Sequence, residues 1–287
     1  HRAVFSHNRS DMPNGFNHIT GSRCSRGADH GGPFADPAQS LAEITRPASK
    51  WYGKCMLIDM EFIISGGKHF AFVDVVYLEG FEYARFREFM PREALAAIQG
   101  AREAGADEFV VADSHGNGEN LLVELFPPDV RIVRSWPRAL GMMGGIDETF
   151  DAAMLIGYHA STDNPRGVRA HTFRSALFTH VGLDGRTISE GSFASAVAGS
   201  FGVPVVLVSG DDVMIAELRA QTGGTFEAAE VKKSLGFHSA NTLSPGAAQA
   251  LVAARAKAAL LRRGEMKPYR LGNGPFAVEI SFKHYLM

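Results

Sequence analysis

Short apolar runs in this chain repeatedly stop at a polar residue, and helix-like stretches separate several of them. The strand-like runs cover 55–60, 108–111, 153–157 and 205–208. The helix-like stretches cover 83–104, 192–200 and 245–263, and the last ends in basic residues, as a helix dipole favours. Strands that alternate with helices predict an α/β fold with a mixed, largely parallel sheet covered by helices. Ligands of such sheets bind outside the carboxyl ends of the strands.

The first 50 residues differ from the rest of the chain. They contain four of the eleven histidines but only four Val, Ile or Leu residues, and they follow neither the helical nor the strand period. Such a segment buries too little apolar surface to offset its ordering entropy. We therefore expect residues 1–50 to be a disordered or loosely attached extension, and residues 51–287 to form the α/β domain.

Composition argues against several classes of protein. Lys and Arg number 29 against 31 Asp and Glu, so the net charge of −2 gives no electrostatic basis for binding nucleic acid or an anionic membrane. The longest apolar runs are about half the length of a membrane span. The two cysteines, Cys24 and Cys55, do not lie in a C-x-x-C pair. These features predict a reduced, cytoplasmic protein of enzyme size.

Two carboxylates follow the first apolar run, at Asp59 and Glu61. Residues i and i+2 of a strand point to the same side, so both side chains are expected to project together from the strand's end. Adjacent carboxylates repel each other unless a cation lies between them. A solvated strand terminus would also explain this pair if it is taken alone.

A histidine follows the second run, where Asp113, Ser114 and His115 come directly after the apolar residues 109–112. This position is again the carboxyl end of a predicted strand, where a metal ligand would meet the acidic pair. The simpler interpretation is that Asp113 or Ser114 caps the next helix and that His115 is exposed.

Three more candidates complete a mixed set of ligands. His159 comes directly after the run 154–157, His171 follows a turn-rich stretch, and Glu190 precedes an apolar helix whose dipole would stabilise it. The two strand-end histidines, His115 and His159, and the three carboxylates suit two cations with one bridging carboxylate. Because paired cations polarise a carbonyl and activate water, the set predicts a metal-dependent hydrolase.

At these residues the chain resembles the zinc-dependent D-aminopeptidase family. The matching segments are LIDME (57–61), DSH (113–115), GYHA (157–160), AHT (170–172), SEG (189–191) and GVPVVLVSGDD (202–212). Their order and separations agree with the family over most of the chain from Met56 to Phe282. The family's members are ring-stacked homo-oligomers that cleave N-terminal D-amino acids from short peptides.

The resemblance implies two zinc ions per chain. Asp59 would bridge the ions, and the remaining ligands would be Glu61, His115, His159 and Glu190. His171 would be the catalytic histidine, acting as nucleophile or proton carrier. The resemblance also implies a ring-type homo-oligomer, a decamer, whose substrates are short peptides with N-terminal D-residues. Because the family continues beyond the position of Met287, the C-terminal part of the domain is expected to be truncated.

Two alternatives remain open. The sequence ADSHG around Ser114 differs at one position from the G-x-S-x-G nucleophile elbow of serine hydrolases. A triad would then need an acid at Asp211 or Asp212 and a histidine at His238. This alternative leaves the strand-end carboxylates and His159 without a role. The second alternative is a non-catalytic peptide-binding protein on the same scaffold.

Overall fold

A computed structural model of the chain describes residues 53–59 and 83–284. The predicted disorder of residues 1–50 and the predicted ligand Glu61 lie outside the described residues. The described strands are β1 (Gly53–Asp59), β2 (Ala106–Asp113), β3 (Val130–Val133), β4 (Ala152–Tyr158), β5 (Phe178–Leu183), β6 (Arg186–Thr187), β7 (Val205–Asp211), β8 (Glu227–Gly236), β9 (Ser239–Thr242) and β10 (Val278–Phe282). The described α-helices are α1 (Tyr83–Phe86), α2 (Phe89–Glu103), α3 (Glu190–Ser200), α4 (Asp212–Thr222) and α5 (Pro245–Leu261).

Seven of these strands form one sheet in the order β3-β2-β1-β4-β7-β8-β9. Neighbouring strands are parallel except for the β8–β9 hairpin, so the predicted mixed, largely parallel sheet is confirmed. The chain adds β2 and β3 on one side of β1, then β4, β7 and β8 on the other. The strand order therefore reverses between β1 and β4, and an open α/β sheet binds its ligands at such a switch point.

The two faces of the sheet are covered by different helices, and the alternation along β4 shows why. Ala152, Met154 and Ile156 belong to the apolar cluster that contains α2 and α5. Ala153 and Leu155 belong to the cluster that contains α3 and α4. Successive strand residues point to opposite faces, so a continuous apolar run is the pattern expected of a strand buried on both sides.

A smaller antiparallel sheet has the order β10-β5-β6. Asp184 and Gly185 join β5 to β6 with φ angles of 50° and 73°. Positive φ at both central residues is typical of a type I′ hairpin turn, which Gly allows without strain. The backbone N–H of Lys283, directly after β10, donates to the Leu177 carbonyl at 2.8 Å. This hydrogen bond attaches the end of β10 to the chain before β5.

The predicted elements mostly exist, with different bounds. The predicted helix 83–104 is interrupted and forms α1 and α2, and the predicted helix 192–200 begins two residues earlier as α3. The elements α4, β8 and β9 were not predicted from the sequence. Cys55 is a free thiol that is fully buried in β1, and burial strongly raises its pKa. Within the described residues, we find no helix with both the length and the apolar character needed to cross a membrane.

Candidate metal centre

The carboxyl end of β4 contains a bulge that positions His159. Gly157 has a φ of +72°, and the register between β4 and β7 shifts between Leu155 and Tyr158. The Gly157 N–H donates to the Ser209 hydroxyl at 2.8 Å. A bulge with Gly in the left-handed region bends the strand and redirects the side chains that follow it. His159 is the first residue after the strand, and it is buried.

The backbone after His159 joins two of the predicted site residues. The Ala160 carbonyl accepts a hydrogen bond from His159 Nδ1 at 3.0 Å and from the backbone N–H of His171 at 3.0 Å. On the next residue, both the N–H and the hydroxyl of Ser161 donate to Glu217 on α4, at 2.7 and 2.6 Å. Burial raises the pKa of the Glu217 carboxyl, and the hydrogen bonds from Ser161 oppose that rise. Glu217 thus anchors the His159 loop.

The loop around His171 is held by unusual backbone conformations. Arg169 and Phe173, two residues to either side of His171, have φ angles of 52° and 58°. Non-glycine residues in this region cost free energy, and the surrounding structure must impose the conformation. His171 Nδ1 donates to the Arg169 carbonyl at 2.7 Å, and the Phe173 N–H donates to Glu190 Oε1 at 2.7 Å. The strained backbone therefore fixes the imidazole and contacts the Glu190 carboxylate.

Glu190 is the first residue of α3. Ser189 precedes the helix, and its side chain accepts a hydrogen bond from the Ser192 N–H at 3.1 Å. The Ser192 hydroxyl accepts a hydrogen bond from the Ser189 N–H at 3.0 Å, which completes a capping box. The positive end of the helix dipole favours a carboxylate at this position. The sequence placed Glu190 just before the helix, whereas the structure places it inside the first helical turn.

His159, His171 and Glu190 meet in one buried cluster, which we call the β4 cluster. The two imidazole rings are stacked, with centroids 3.8 Å apart and an angle of 17° between the ring planes. Nε2 of His159 and Nε2 of His171 each lie 3.7 Å from Glu190 Oε1. All three residues were expected at the site from the sequence, but the equal approach of His159 and His171 to the Glu190 carboxylate was not.

The β4 cluster fits a zinc ion. A carbonyl oxygen can only accept, so the Nδ1 atoms of both histidines donate, and Nε2 is the ring nitrogen that faces Glu190 and can bind a metal. Such carbonyl partners on the distal nitrogen are typical of metal-binding histidines. Ligand atoms around one tetrahedral zinc lie about 3.4 Å apart. The 3.7 Å separations need only a small contraction to reach that arrangement.

The loop after β2 is organised by Asp113. Its buried carboxylate accepts hydrogen bonds from the N–H groups of Asn120 and Leu121, at 2.6 and 2.8 Å, and from the Asn120 side chain at 3.1 Å. The Asn120 side chain also donates to the His115 carbonyl. Arg138 donates to the Asp113 carbonyl at 2.7 Å. Asp113 is therefore a loop-forming residue rather than a helix cap, and His115, although buried, does not belong to the β4 cluster.

Asp59 ends β1 between the two histidine loops. It is in register with Asp113 on β2 and with Ile156 on β4. The backbone of β1 therefore delivers Asp59 to the carboxyl edge of the sheet, at the switch point. Glu61 lies beyond the described residues.

The described residues do not form a serine-hydrolase triad. The Ser114 hydroxyl is buried and donates to the Met142 carbonyl at 3.1 Å. The Asp211 carboxylate accepts hydrogen bonds from two backbone N–H groups, one of them in the first turn of α4. The Asp212 carboxylate accepts one from the backbone N–H of Ser234 on β8. His238 Nδ1 lies 3.0 Å from the Arg169 guanidinium. Each proposed member of the triad has a different partner.

Comparisons with known proteins agree with the resemblance found in the sequence. Residues 58–287 match the Peptidase M55 family model, which is described as D-aminopeptidase. The chain is similar to the D-aminopeptidase of Bacillus subtilis (strain 168), with 32% identity over 230 residues that cover 80% of this chain and 81% of that protein. A similar solved structure is the Zn-dependent D-aminopeptidase DppA from Bacillus subtilis, a self-compartmentalizing protease. It has a TM-score of 0.74 and 29% identity, and the match covers 81% of this chain and 82% of that one.

Proposed function

Because the chain belongs to the D-aminopeptidase family, a family of metallopeptidases, we propose that it is a binuclear zinc aminopeptidase that releases N-terminal D-amino acids from short peptides or amides. The observation that carries the proposal is the β4 cluster, where two imidazole Nε2 atoms and one carboxylate oxygen converge. The similar solved structure is that of a Zn-dependent enzyme, which supports the choice of zinc here.

We assign the first zinc to the β4 cluster, with His159 and Glu190 as ligands. The second would be held by His115, with Glu61 completing the set and Asp59 bridging both ions. The end of β1 between β2 and β4 supports the bridging role, because that position is shared by both loops. When bound, zinc would polarise the scissile carbonyl and lower the pKa of the attacking water.

His171 would move the proton. Its Nδ1 is committed to the Arg169 carbonyl, so Nε2 is the atom that can accept a proton from the attacking group and return it to the leaving amine. Stacking on His159 and the backbone bond to the Ala160 carbonyl hold the ring in position. Burial of the cluster excludes bulk water, which strengthens each electrostatic interaction in it.

We also propose that the protein assembles as a ring-type homo-oligomer in the cytoplasm. The similar solved structure is that of a self-compartmentalizing protease, which supports an enclosed assembly of several copies here. The buried Cys55 thiol, unpaired in β1, is compatible with a reducing compartment.

The first experiment measures zinc per chain and stereospecific hydrolysis together. After weakly held ions are removed, mass spectrometry of the metal should give two zinc ions per chain. The loaded protein should hydrolyse D-alanine p-nitroanilide but not the L-enantiomer, and a chelator should abolish activity while serine-directed reagents should not. Zinc-free protein that retains full activity would contradict the proposal.

The second experiment tests the bridge. Asp59→Ala should lose both ions and all activity together, because the bridging carboxylate screens two like charges from each other. Asp129→Ala is a matched control, since this exposed carboxylate pairs with Arg102 on the protein surface. An Asp59→Ala protein with two tightly bound ions and normal turnover would overturn the assignment.

A further inference from the structure

A cavity of about 240 Å³ opens beside the β4 cluster. His171 is one of its lining residues, together with Thr162, Thr179, Phe237 and Lys283. A larger cavity of about 450 Å³ is lined by Lys54 and other residues and contains none of the proposed ligands. The smaller cavity is thus the one that adjoins the proposed chemistry.

Lys283 is the cationic group of the smaller cavity, and the backbone fixes its position. It follows β10, and its N–H is bonded to the chain before β5. The ammonium group donates one hydrogen bond to the Ser175 carbonyl, which is neutral, and a lysine has two further protons to donate. None of the described carboxylates forms an ion pair with Lys283.

The dimensions of the cavity match a dipeptide. A sphere of this volume is about 8 Å across, and two extended residues span about 7 Å. The cavity is also below the roughly 300 Å³ at which pockets for larger ligands begin. A peptide whose scissile bond lies at His171 would therefore reach Lys283 with the carboxylate of its second residue.

We propose that Lys283 binds the α-carboxylate of a dipeptide substrate and so makes this chain select dipeptides with a free C-terminus. The inference rests on the proposed aminopeptidase function and adds a specificity-determining residue to it. A charge-assisted hydrogen bond to a carboxylate is stronger than one to the neutral carbonyl of an amide, and its loss costs about tenfold or more in affinity. The hydroxyls of Thr162 and Thr179 both donate to backbone carbonyls, so the cation supplies the discrimination.

The test compares D-alanylglycine with D-alanylglycine amide on the zinc-loaded full chain. The wild-type protein should prefer the free acid by about tenfold or more in kcat/KM, mainly through KM. Added NaCl should raise KM for the acid and not for the amide, because only the acid uses a partly exposed ion pair. Equal kcat/KM for both substrates would overturn the proposal while leaving the aminopeptidase function intact. If neither substrate is hydrolysed, the proposed function itself fails, and this inference fails with it.

Variants of Lys283 separate recognition from folding. Lys283→Gln should reduce the preference for the acid to about one, and Lys283→Arg, which keeps the charge, should restore most of it. Lys257→Gln is the control. This exposed lysine on α5 pairs with Glu103, the last residue of α2, and does not line the cavity. If Lys283→Gln does not fold, the Arg variant and the salt dependence still decide the result. An unchanged preference in Lys283→Gln would also refute the assignment.

Discussion

The loops after β2 and β4 both place a buried histidine at the carboxyl edge of the sheet, yet they are built differently. In the β2 loop the carboxylate of Asp113 accepts three hydrogen bonds from within the loop. In the β4 loop the carboxylate comes from another element, α3, and Glu190 Oε1 faces two histidines and a backbone N–H. The β2 loop is therefore stabilised by its own carboxylate, Asp113, whereas the β4 loop contacts a carboxylate from α3, Glu190, that is directed at the histidines.

This difference implies two half-sites with different properties. The two proposed ligands of the β4 cluster, His159 Nε2 and Glu190 Oε1, are already 3.7 Å apart, so this half-site is preorganised for a cation. The β2 loop offers His115 but needs the end of β1 to supply carboxylates. We therefore expect the half-site at β4 to hold its zinc more tightly than the half-site at β2. The substitutions of Glu190, His171 and Asp113 test that asymmetry, in order of decreasing effect on activity, and a substitution of Glu93 changes stability alone.

The largest effect is expected from Glu190→Gln. The amide oxygen can still accept from the Phe173 N–H, so the loop should remain folded while the ligand charge is lost. Zinc at the β4 half-site should be lost and kcat/KM should fall by about 10³-fold or more. Zinc content and steady-state kinetics measure the result. Glu227→Gln, on the distant β8–α5 ion pairs, should retain both ions. Full zinc occupancy in Glu190→Gln would show that the two loops do not differ as we infer.

His171→Ala is expected to have the next largest effect. If His171 carries a proton rather than binding metal, the variant should keep two zinc ions and lose about 10²-fold in kcat. The alternative is that His171 binds zinc, because its Nε2 lies only 3.7 Å from Glu190 Oε1. Loss of one zinc ion would make His171 a ligand of the β4 half-site. His180→Ala, which removes a histidine paired with Asp163, serves as the control and should change neither quantity.

Asp113→Asn should act on the β2 half-site alone. The Asp113 carboxylate is fully buried and accepts three hydrogen bonds, from Asn120 and Leu121. The NH₂ group of an asparagine at this position would face these donors and could not accept from them. We expect a loss of about 1–3 kcal/mol in the free energy of unfolding and about tenfold weaker binding of one of the two zinc ions. Zinc titration and thermal denaturation test this. Equal weakening of both ions would mean that the half-sites form one unit.

Glu93, a buried carboxylate outside both loops, is expected to change the pH dependence of stability without changing zinc binding. Glu93, on α2, is fully buried, and burial raises its pKa to about 7, although Lys232 opposes the rise. The folded state therefore binds the proton more tightly than the unfolded state, whose pKa is near 4.5. Stability should fall as pH rises from about 4.5 to 7, by about 3 kcal/mol in total.

Glu93→Gln removes that titration. Relative to wild type, the variant should gain about 2–3 kcal/mol in the free energy of unfolding between pH 5 and pH 8, measured by urea denaturation. Zinc content and kcat at pH 8 should stay the same, because Glu93 lies on the α2–α5 face of the sheet. A parallel pH dependence in the two proteins would show that Glu93 does not titrate in this range.

The sequence allowed the site to be anticipated where local patterns were sufficient. The apolar runs of β1, β2, β4 and β7 predicted the strands, and the residues after them gave His115 and His159. These are signals carried by a few neighbouring residues. The start of α3 was placed two residues too late, because the helix cap formed by Ser189 was not recognised in the sequence.

Other parts of the site depend on contacts between distant segments. The support of the His159 loop by Glu217 joins residues 56 positions apart, and no local pattern distinguishes that acid from other helical acids. The positive φ of Arg169 is stabilised by its N–H bond to Phe237 on the turn after β8, and β8 itself was not predicted. The stacking of His171 on His159 follows from both contacts, so periodicity could not reveal it.

The central position of β1 also sets an order of events during synthesis. β1 precedes its two neighbours in the chain, but β4 and the first turn of α3 emerge about a hundred residues or more after it. Until then one edge of β1 has no partner, and an unpaired edge strand is open to pairing with other chains. A ribosome-bound fragment that ends before β4 should therefore need chaperones more than one that extends past α3, the point at which both histidine loops and Glu190 are present.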